Sequence, residues 1–221
     1  LVYHEEKLFE EIRDDDGFEC DDIEGIVSWM KSRLTDIIKS EDYQVIALNF
    51  TAYGASLVHL DNAGNMVTPL YNYLKPMPEG LTDKFHQAWG GVEEFCRITA
   101  SPALGMLNSG MQMLWLKKTK PAVFARISTT LHLPQYLSWI FTGRKESEYT
   151  SLGCHTAMWD FDAMHYHPWL KAEKIKLPEP VLPSGVFDVS IEGKTVRTGI
   201  GIHDSSASLV PYLKTTDRPF I

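Results

Sequence analysis

Cysteine is scarce in this chain: Cys20, Cys96 and Cys154 are the whole supply in 221 residues, and no two form a Cys-x-x-Cys pair. An odd, scattered set offers neither a disulfide framework nor a zinc knuckle, and it suits reduced thiols in a cytoplasm. Positive charge is also in deficit. Lys and Arg number 21 against 29 Asp and Glu, a net charge of −8. That is the wrong sign for coating a phosphate backbone, so nucleic acid is excluded as the main partner. No apolar run approaches the ~20 residues of a membrane helix, so no membrane partner is expected. The opening Leu1-Val-Tyr-His-Glu-Glu lacks the charged-then-apolar order of a signal peptide. No Gly-x-x-x-x-Gly-Lys-Ser/Thr phosphate loop occurs. An initiator Met is missing too, and the two ends read as cuts through a longer chain. What is present is ordinary: 44% hydrophobic and 23% charged residues, enough for one sizeable soluble core.

Taken in order, Leu1–Tyr3 and Leu8–Arg13 read as strand pieces, and Asp14-Asp15-Asp16-Gly17 as a solvated turn without the alternating spacing of a calcium loop. Ile23, Ile26, Val27, Met30, Leu34, Ile37 and Ile38 fall at steps of three and four, which predicts an Asp-capped helix from 21 or 22 to 39. Residues 45–50 read as a buried strand around the continuous apolar run Val45-Ile-Ala-Leu48. Residues 56–60 and 66–69 flank Asp61-Asn-Ala-Gly64 as a hairpin. Short helices are expected near 82–89 and 92–96. A helix over about 109–118 should present Met111, Leu114 and Trp115 on one face, with lysines at its C-terminal end. Residues 132–143 carry Pro in the first turn and Gly at the end of another helix. His165 and His167 are a loop pair with no third ligand near. Asn49-Phe-Thr51 matches a glycosylation sequon at a buried strand end and is discounted.

The stretch Val196-Arg-Thr-Gly-Ile-Gly-Ile-His203-Asp204-Ser205-Ser-Ala-Ser-Leu209 organises the rest. A strand leaving the core at Ile202 turns into a helix whose first turn holds Asp204, Ser205 and Ser206. A carboxylate there sits at the positive end of a helix and at the carboxyl end of a strand, the usual place for chemistry in an α/β sheet. Read blandly, Asp204 is only a helix cap.

Gly-Ile-Gly-Ile-His203-Asp204-Ser-Ser-Ala-Ser resembles the gly-gly-His-Asp-Thr-x-x-Ala segment of the FGGY carbohydrate kinases, in the branch where His precedes Asp. The resemblance continues, in order, through Thr51-Ala-Tyr53-Gly54 and Leu60-Asp61-Asn-Ala-Gly64. Asn108-Ser-Gly-Met-Gln112 and Pro134-Gln-Tyr-Leu…Phe-Thr-Gly143 follow, then Glu148-Tyr-Thr-Ser151 and His155-Thr-Ala. Many members carry Lys where Gln112 stands, whereas the rhamnulokinase-like branch carries Gln. The resemblance implies an α/β fold of the actin-like, ribonuclease-H type, with a mixed sheet flanked by helices. It implies that Asp204 is the general base deprotonating a sugar hydroxyl, with His203 and Ser205 fixing the sugar. Tyr53, Gly54, Asn108 and Gln112 would line the pocket. ATP and Mg²⁺ would be the cofactors, a small-molecule sugar the partner, and no residue here a metal ligand. A second copy of the chain as partner is left open.

Two parts of that family pattern are missing: an opening hairpin with Asp-x-Gly-x-Thr/Asn and a later domain with Gly-Gly loops for adenosine. The expectation is therefore that residues 1–221 are the sugar-binding N-terminal domain without its phosphate hairpin and nucleotide domain. Such a piece alone should have negligible activity, because phosphoryl transfer depends on positioning around the phosphates. The rival reading is a non-catalytic sugar-binding or regulatory protein on the same scaffold. A His203–Asp204 hydrolase is weaker, since neighbours in extended backbone point to opposite faces.

Overall fold

The computed structural model describes residues 1–216 and 218. Its first long element is α1 (Ile23–Lys39), capped by Asp22, whose carboxylate accepts the Gly25 amide at 3.0 Å. The apolar stripe that predicts this helix is the one it buries. Ile23, Val27 and Met30 pack with Leu48, Phe50, Val58 and Leu131 in one of three core clusters.

Of the buried strand expected over 45–50 only β1 (Ala47–Leu48) forms, and it is not buried: Ala47 and its neighbour Ile46 are exposed and Leu48 is half-buried; β2 (Thr51–Ala52) and β3 (Leu57–Leu60) follow. The hairpin expected after it is reduced to a single Leu60–Met66 bridge. The full antiparallel partner of β3 is instead β4 (Thr129–His132), with Leu57 opposite His132 and Leu60 opposite Thr129. Asp61 accounts for the difference. Its carboxylate accepts the Ala63 and Asn65 amides, both at 2.9 Å, which closes a tight turn, and the pairing beyond it goes no further than Val67 N–H to the His59 carbonyl at 2.8 Å.

Between these strands lies α2 (Ser109–Thr119). It lacks the single apolar face expected of it: every residue from Ser109 to Leu116 is buried, so the helix runs through the middle of the molecule. After β4 come α3 (Leu133–Thr142) and the short α4 (Tyr149–Leu152). Then β5 (Val186–Ile191) and β6 (Lys194–Gly199) form a hairpin, and β7 (Ile202–His203) leads into α5 (Asp204–Thr215). Sheet order is β5–β6–β1, antiparallel then parallel, with β7 parallel to β2 just beyond. The fold is α/β with mixed sheets and helices against them.

Two expectations near the start are corrected. Residues 1–11 contain no strand; only Ile12–Arg13 pairs, with Glu19–Cys20. The acidic turn is not simply solvated. Asp14 is buried against Lys75 at 2.5 Å, Asp16 reaches Lys75 at 2.6 Å, and Lys120 bridges Asp15 and Asp16 at 2.7 Å each. Both ammonium groups also lie over the rings of Tyr71 and Trp115.

Candidate active site

The parallel run of β1–β2 beside β6–β7 contains one miscount. Thr198 is opposite Leu48 and Ile202 is opposite Thr51, so residues 199–201 face only 49–50. This is a β-bulge, and bulges commonly re-aim side chains next to sites. Val196 and Thr198 are buried with Arg197 exposed between them, Gly199, Ile200 and Gly201 are all buried within the bulge, and past it the buried side chain is His203. Asn49 fills the gap: its Oδ1 accepts the amides of Gly201 at 3.0 Å and of Phe50 at 2.9 Å. From α3, Gln135 donates to the Gly201 carbonyl at 2.8 Å and Ser138 to the Gly199 carbonyl at 2.7 Å. Gly201 has φ +84°, and a Cβ there would collide with the Pro134 carbonyl, so no other residue fits.

The bulge delivers His203 and Asp204 to the strand end in different environments. Asp204 is exposed at the first position of α5, where the positive end of the helix favours a negative charge. Its Oδ1 accepts the Ser205 amide at 2.6 Å and the Ser205 hydroxyl at 3.3 Å. His203 is only 5% exposed, with Nε2 at 3.6 Å from Asp204 Oδ1 and Nδ1 without a hydrogen-bond partner among the described residues. Burial lowers its pKa, Asp204 opposes the shift and His155 adds to it, so the ring is neutral at pH 7. Gly54 lies against this imidazole, and a Cβ there would run into His203 Cδ2.

The remaining expected residues divide by position. Ser205 is exposed beside Asp204. Tyr53 is half-buried; its hydroxyl donates to Asp21 and its ring sits 5.7 Å from that of Tyr73. Burial, and then the Asp21 carboxylate, push its phenol pKa upward. Gln112 and Asn108 lie one layer deeper. Gln112 Nε2 donates to the carbonyls of Ala55 and Met106, each at 2.6 Å, which ties down the loop beside Gly54. Asn108 Nδ2 donates to the His155 carbonyl at 2.6 Å, and its Oδ1 accepts the Leu104 amide at 2.8 Å.

Sequence patterns pass over several residues that shape this end of the molecule. Asn49 shows only as a sequon, and Gln135 only as one residue of the Pro134-to-Gly143 segment. Thr150 accepts the His203 amide at 3.0 Å. His155, with φ +43°, places Nδ1 at 3.1 Å from Cys154 Sγ. The signal for these last residues is the Glu-Tyr-Thr-Ser…His-Thr-Ala order, which the family resemblance covers without giving each member a task. Among the described residues, one trio has metal-ligand spacing, Asp14, Asp15 and Asp16. Lys75 and Lys120 already hold all three carboxylates at 2.5 to 2.7 Å, so its chemistry does not suit Mg²⁺.

Comparison with known proteins fits this geometry. The sequence profile described as FGGY family of carbohydrate kinases, N-terminal domain, matches residues 1–197. A rhamnulokinase of Halalkalibacterium halodurans is 22% identical over 224 residues, covering 96% of this chain and 47% of that protein. The chain thus spans about half the length of that curated relative. Among solved structures, a carbohydrate kinase from Novosphingobium aromaticivorans superposes with a TM-score of 0.76 at 26% identity, over 90% of this chain and 44% of the other. Plasmodium falciparum glycerol kinase with ADP gives 0.72 at 17% identity, over 94% and 44%. Such likenesses place the fold with the sugar kinases of the actin-like ATPase type. No helix among the described residues is long and apolar enough to cross a membrane.

Proposed function

The chain belongs to the FGGY family of carbohydrate kinases, and from that premise we propose that it is the sugar-binding part of an ATP-dependent kinase. Its substrate would be a ketose, specifically a 6-deoxyketohexose such as rhamnulose, the sugar named by the rhamnulokinase relative. The observation that carries the reading is the strand end itself. A buried, neutral imidazole with an unpartnered Nδ1 stands beside an exposed carboxylate on a helix N-terminus. Buried polar atoms are normally paired, and this one is left without a partner among the described residues where the strand meets the helix.

With its Nε2–H directed to Asp204, His203 presents Nδ1 as an acceptor and fixes one sugar hydroxyl. Asp204 takes the proton from a neighbouring hydroxyl as that oxygen becomes the nucleophile. Ser205 holds the carboxylate in place through its amide and hydroxyl. Tyr53 offers an apolar ring face to the sugar's C–H groups. Asn108 and Gln112 serve the pocket by pinning the backbone at His155 and Ala55. ATP with Mg²⁺ supplies the phosphoryl group. The acidic trio does not suit the metal, so we assign the nucleotide site to sequence outside this chain and derive no step through it. The setting is the cytoplasm, where ATP is at hand.

Titration calorimetry of this chain with rhamnulose, together with an ADP-release assay, tests the reading. We expect saturable sugar binding and no ATP-dependent turnover. Absence of sugar binding would sink the site, and ordinary turnover of about 1–100 s⁻¹ would show that the nucleotide site lies within the chain.

A further inference from the structure

The His203 amide faces away from the β2 ladder. Ile202 N–H goes to Phe50 O at 3.0 Å, across the ladder, whereas His203 N–H goes the other way, to Thr150 Oγ1 at 3.0 Å. Successive amides of a strand point to opposite edges. Thr150 therefore stands where a further strand would otherwise supply the acceptor.

The orientation of that hydroxyl is itself set. Glu148 is fully buried at the N-cap of α4. Its Oε2 accepts the Thr150 hydroxyl at 2.5 Å and the Ser151 amide at 3.2 Å, and Oε1 accepts the Thr150 amide at 2.6 Å. Because the Thr150 O–H donates to Glu148, its lone pairs turn to His203 N–H. A valine in this place would fill the same volume but accept nothing.

We propose that Glu148 and Thr150 are positioning residues of the sugar site: Glu148 orients the Thr150 hydroxyl, which holds the His203 amide and fixes how His203 and Asp204 leave the sheet. The bulge supports this strand end from one side, through Asn49, Gln135 and Ser138. The Glu148–Thr150 pair supports it from the other. Neither residue touches the sugar; both act through His203. The proposal rests on the sugar-kinase reading of the site.

The test compares wild type, Thr150→Val and Thr150→Ser in two measurements on the whole chain. The first is hydrogen exchange of the His203 amide by NMR, with the Leu57–Leu60 amides as an internal reference. The second is calorimetric affinity for a 6-deoxyketohexose. One hydrogen bond in a buried setting corresponds to about tenfold. Thr150→Val should speed His203 exchange and weaken sugar binding by about that factor, leaving the reference amides unchanged, and Thr150→Ser should restore both. If wild type binds the sugar and Thr150→Val binds it equally well, the positioning role is overturned while the sugar-kinase reading stands. Unchanged His203 exchange in Thr150→Val overturns the relay whatever the sugar does. If wild type binds no sugar, the reading of the site fails and the positioning role with it. Glu148→Gln, which still accepts one hydrogen bond, should fall between wild type and Thr150→Val in both measurements; equality with wild type removes Glu148 from the relay.

Discussion

Two regions of the molecule gather charge and aromatic rings, and they treat them in opposite ways. At Asp14–Asp15–Asp16 every carboxylate is matched by Lys75 or Lys120, the ammonium groups lie over Tyr71 and Trp115, and further Asp14 oxygen capacity is taken by the Asp16 and Phe18 amides. At the β7–α5 junction, a carboxylate is left open to solvent and a buried ring nitrogen is left unpaired. The first arrangement is complete and closes a turn. The second leaves one buried acceptor unused, and we read it as the sugar site. Sequence alone gives the first region the more conspicuous signal, three consecutive acids. The difference teaches that unsatisfied polar groups, rather than charge density, mark the place for chemistry.

The comparison is broken most forcefully by Asp204→Asn in the intact kinase. The amide keeps the size and the helix-end contacts but removes the carboxylate proposed as the base. Turnover should fall at least ~10²-fold, with sugar affinity within a few-fold and the fold retained, as read by coupled ADP release and calorimetry. A variant that keeps kcat and loses only melting temperature would make Asp204 a structural residue like Asp14.

The reciprocal change is Asp14→Ala. Removing one member of a buried ion pair typically costs about 3–5 kcal/mol; the low end, about 3 kcal/mol, is expected here because Lys75 retains Asp16. Urea denaturation should show that loss, and calorimetry should show unaltered sugar binding. Weakened binding would mean that the clamp reaches the site.

Gly54→Ala sharpens the contrast by disturbing the site without touching a charge. The new methyl displaces the His203 ring. Sugar binding should weaken by about tenfold, one hydrogen bond's worth, while the melting temperature moves by only a few degrees. Binding at full strength would remove His203 from the pocket.

The pH window tests the buried groups rather than the site. Burial holds His59 at about 4 and His132 at about 3, the latter also depressed by nearby His203, whose own pKa is lowered. For a lowered histidine the unfolded chain takes the proton first, so stability begins to fall as pH drops below about 6.5. The acids behave differently. Burial alone would raise Asp14, but hydrogen bonds from Lys75 and two amides outweigh it; Asp16 is lowered by Lys120 and Lys75. Their contribution is full above about 3.9 and is lost only as pH falls through the depressed values. Melting curves from pH 7 to 3 should decline from near 6.5. His59→Gln should flatten the slope between 6.5 and 4.5; an unchanged slope would mean that His59 is not the titrating group.

Much of this was legible in the sequence wherever the signal was local. The periodic apolar stripe of α1 and the Pro-to-Gly frame of α3 lie within about one residue of their expected bounds. The His-Asp turn shows as a strand end because apolar residues stop there and small ones begin. What required the structure was long-range. Which strand pairs with Leu57–Leu60 is decided some 70 residues away, and β4 carries no mark of it. Likewise, Lys75 and Lys120 capture the acidic turn from distances no window spans. Asn108 and Gln112 announce themselves as polar residues around a helix start, but their hydrogen-bond partners are backbone carbonyls, which every residue has and no sequence distinguishes.

The bulge at 199–201 has a consequence for how this strand tolerates change. Three residues lie opposite two, so the inward-facing positions switch from the even numbers 196 and 198 to the odd 203. The site is thus a matter of parity. Removing the extra residue would set two against two and leave the imidazole inward in a regular ladder; what the bulge does is absorb the odd residue that would otherwise turn the imidazole outward and its neighbour's carboxylate into the core. The side on which the imidazole lies depends on holding that extra residue in place, and Gly201, with its positive φ and no room for a Cβ against the Pro134 carbonyl, is what holds it.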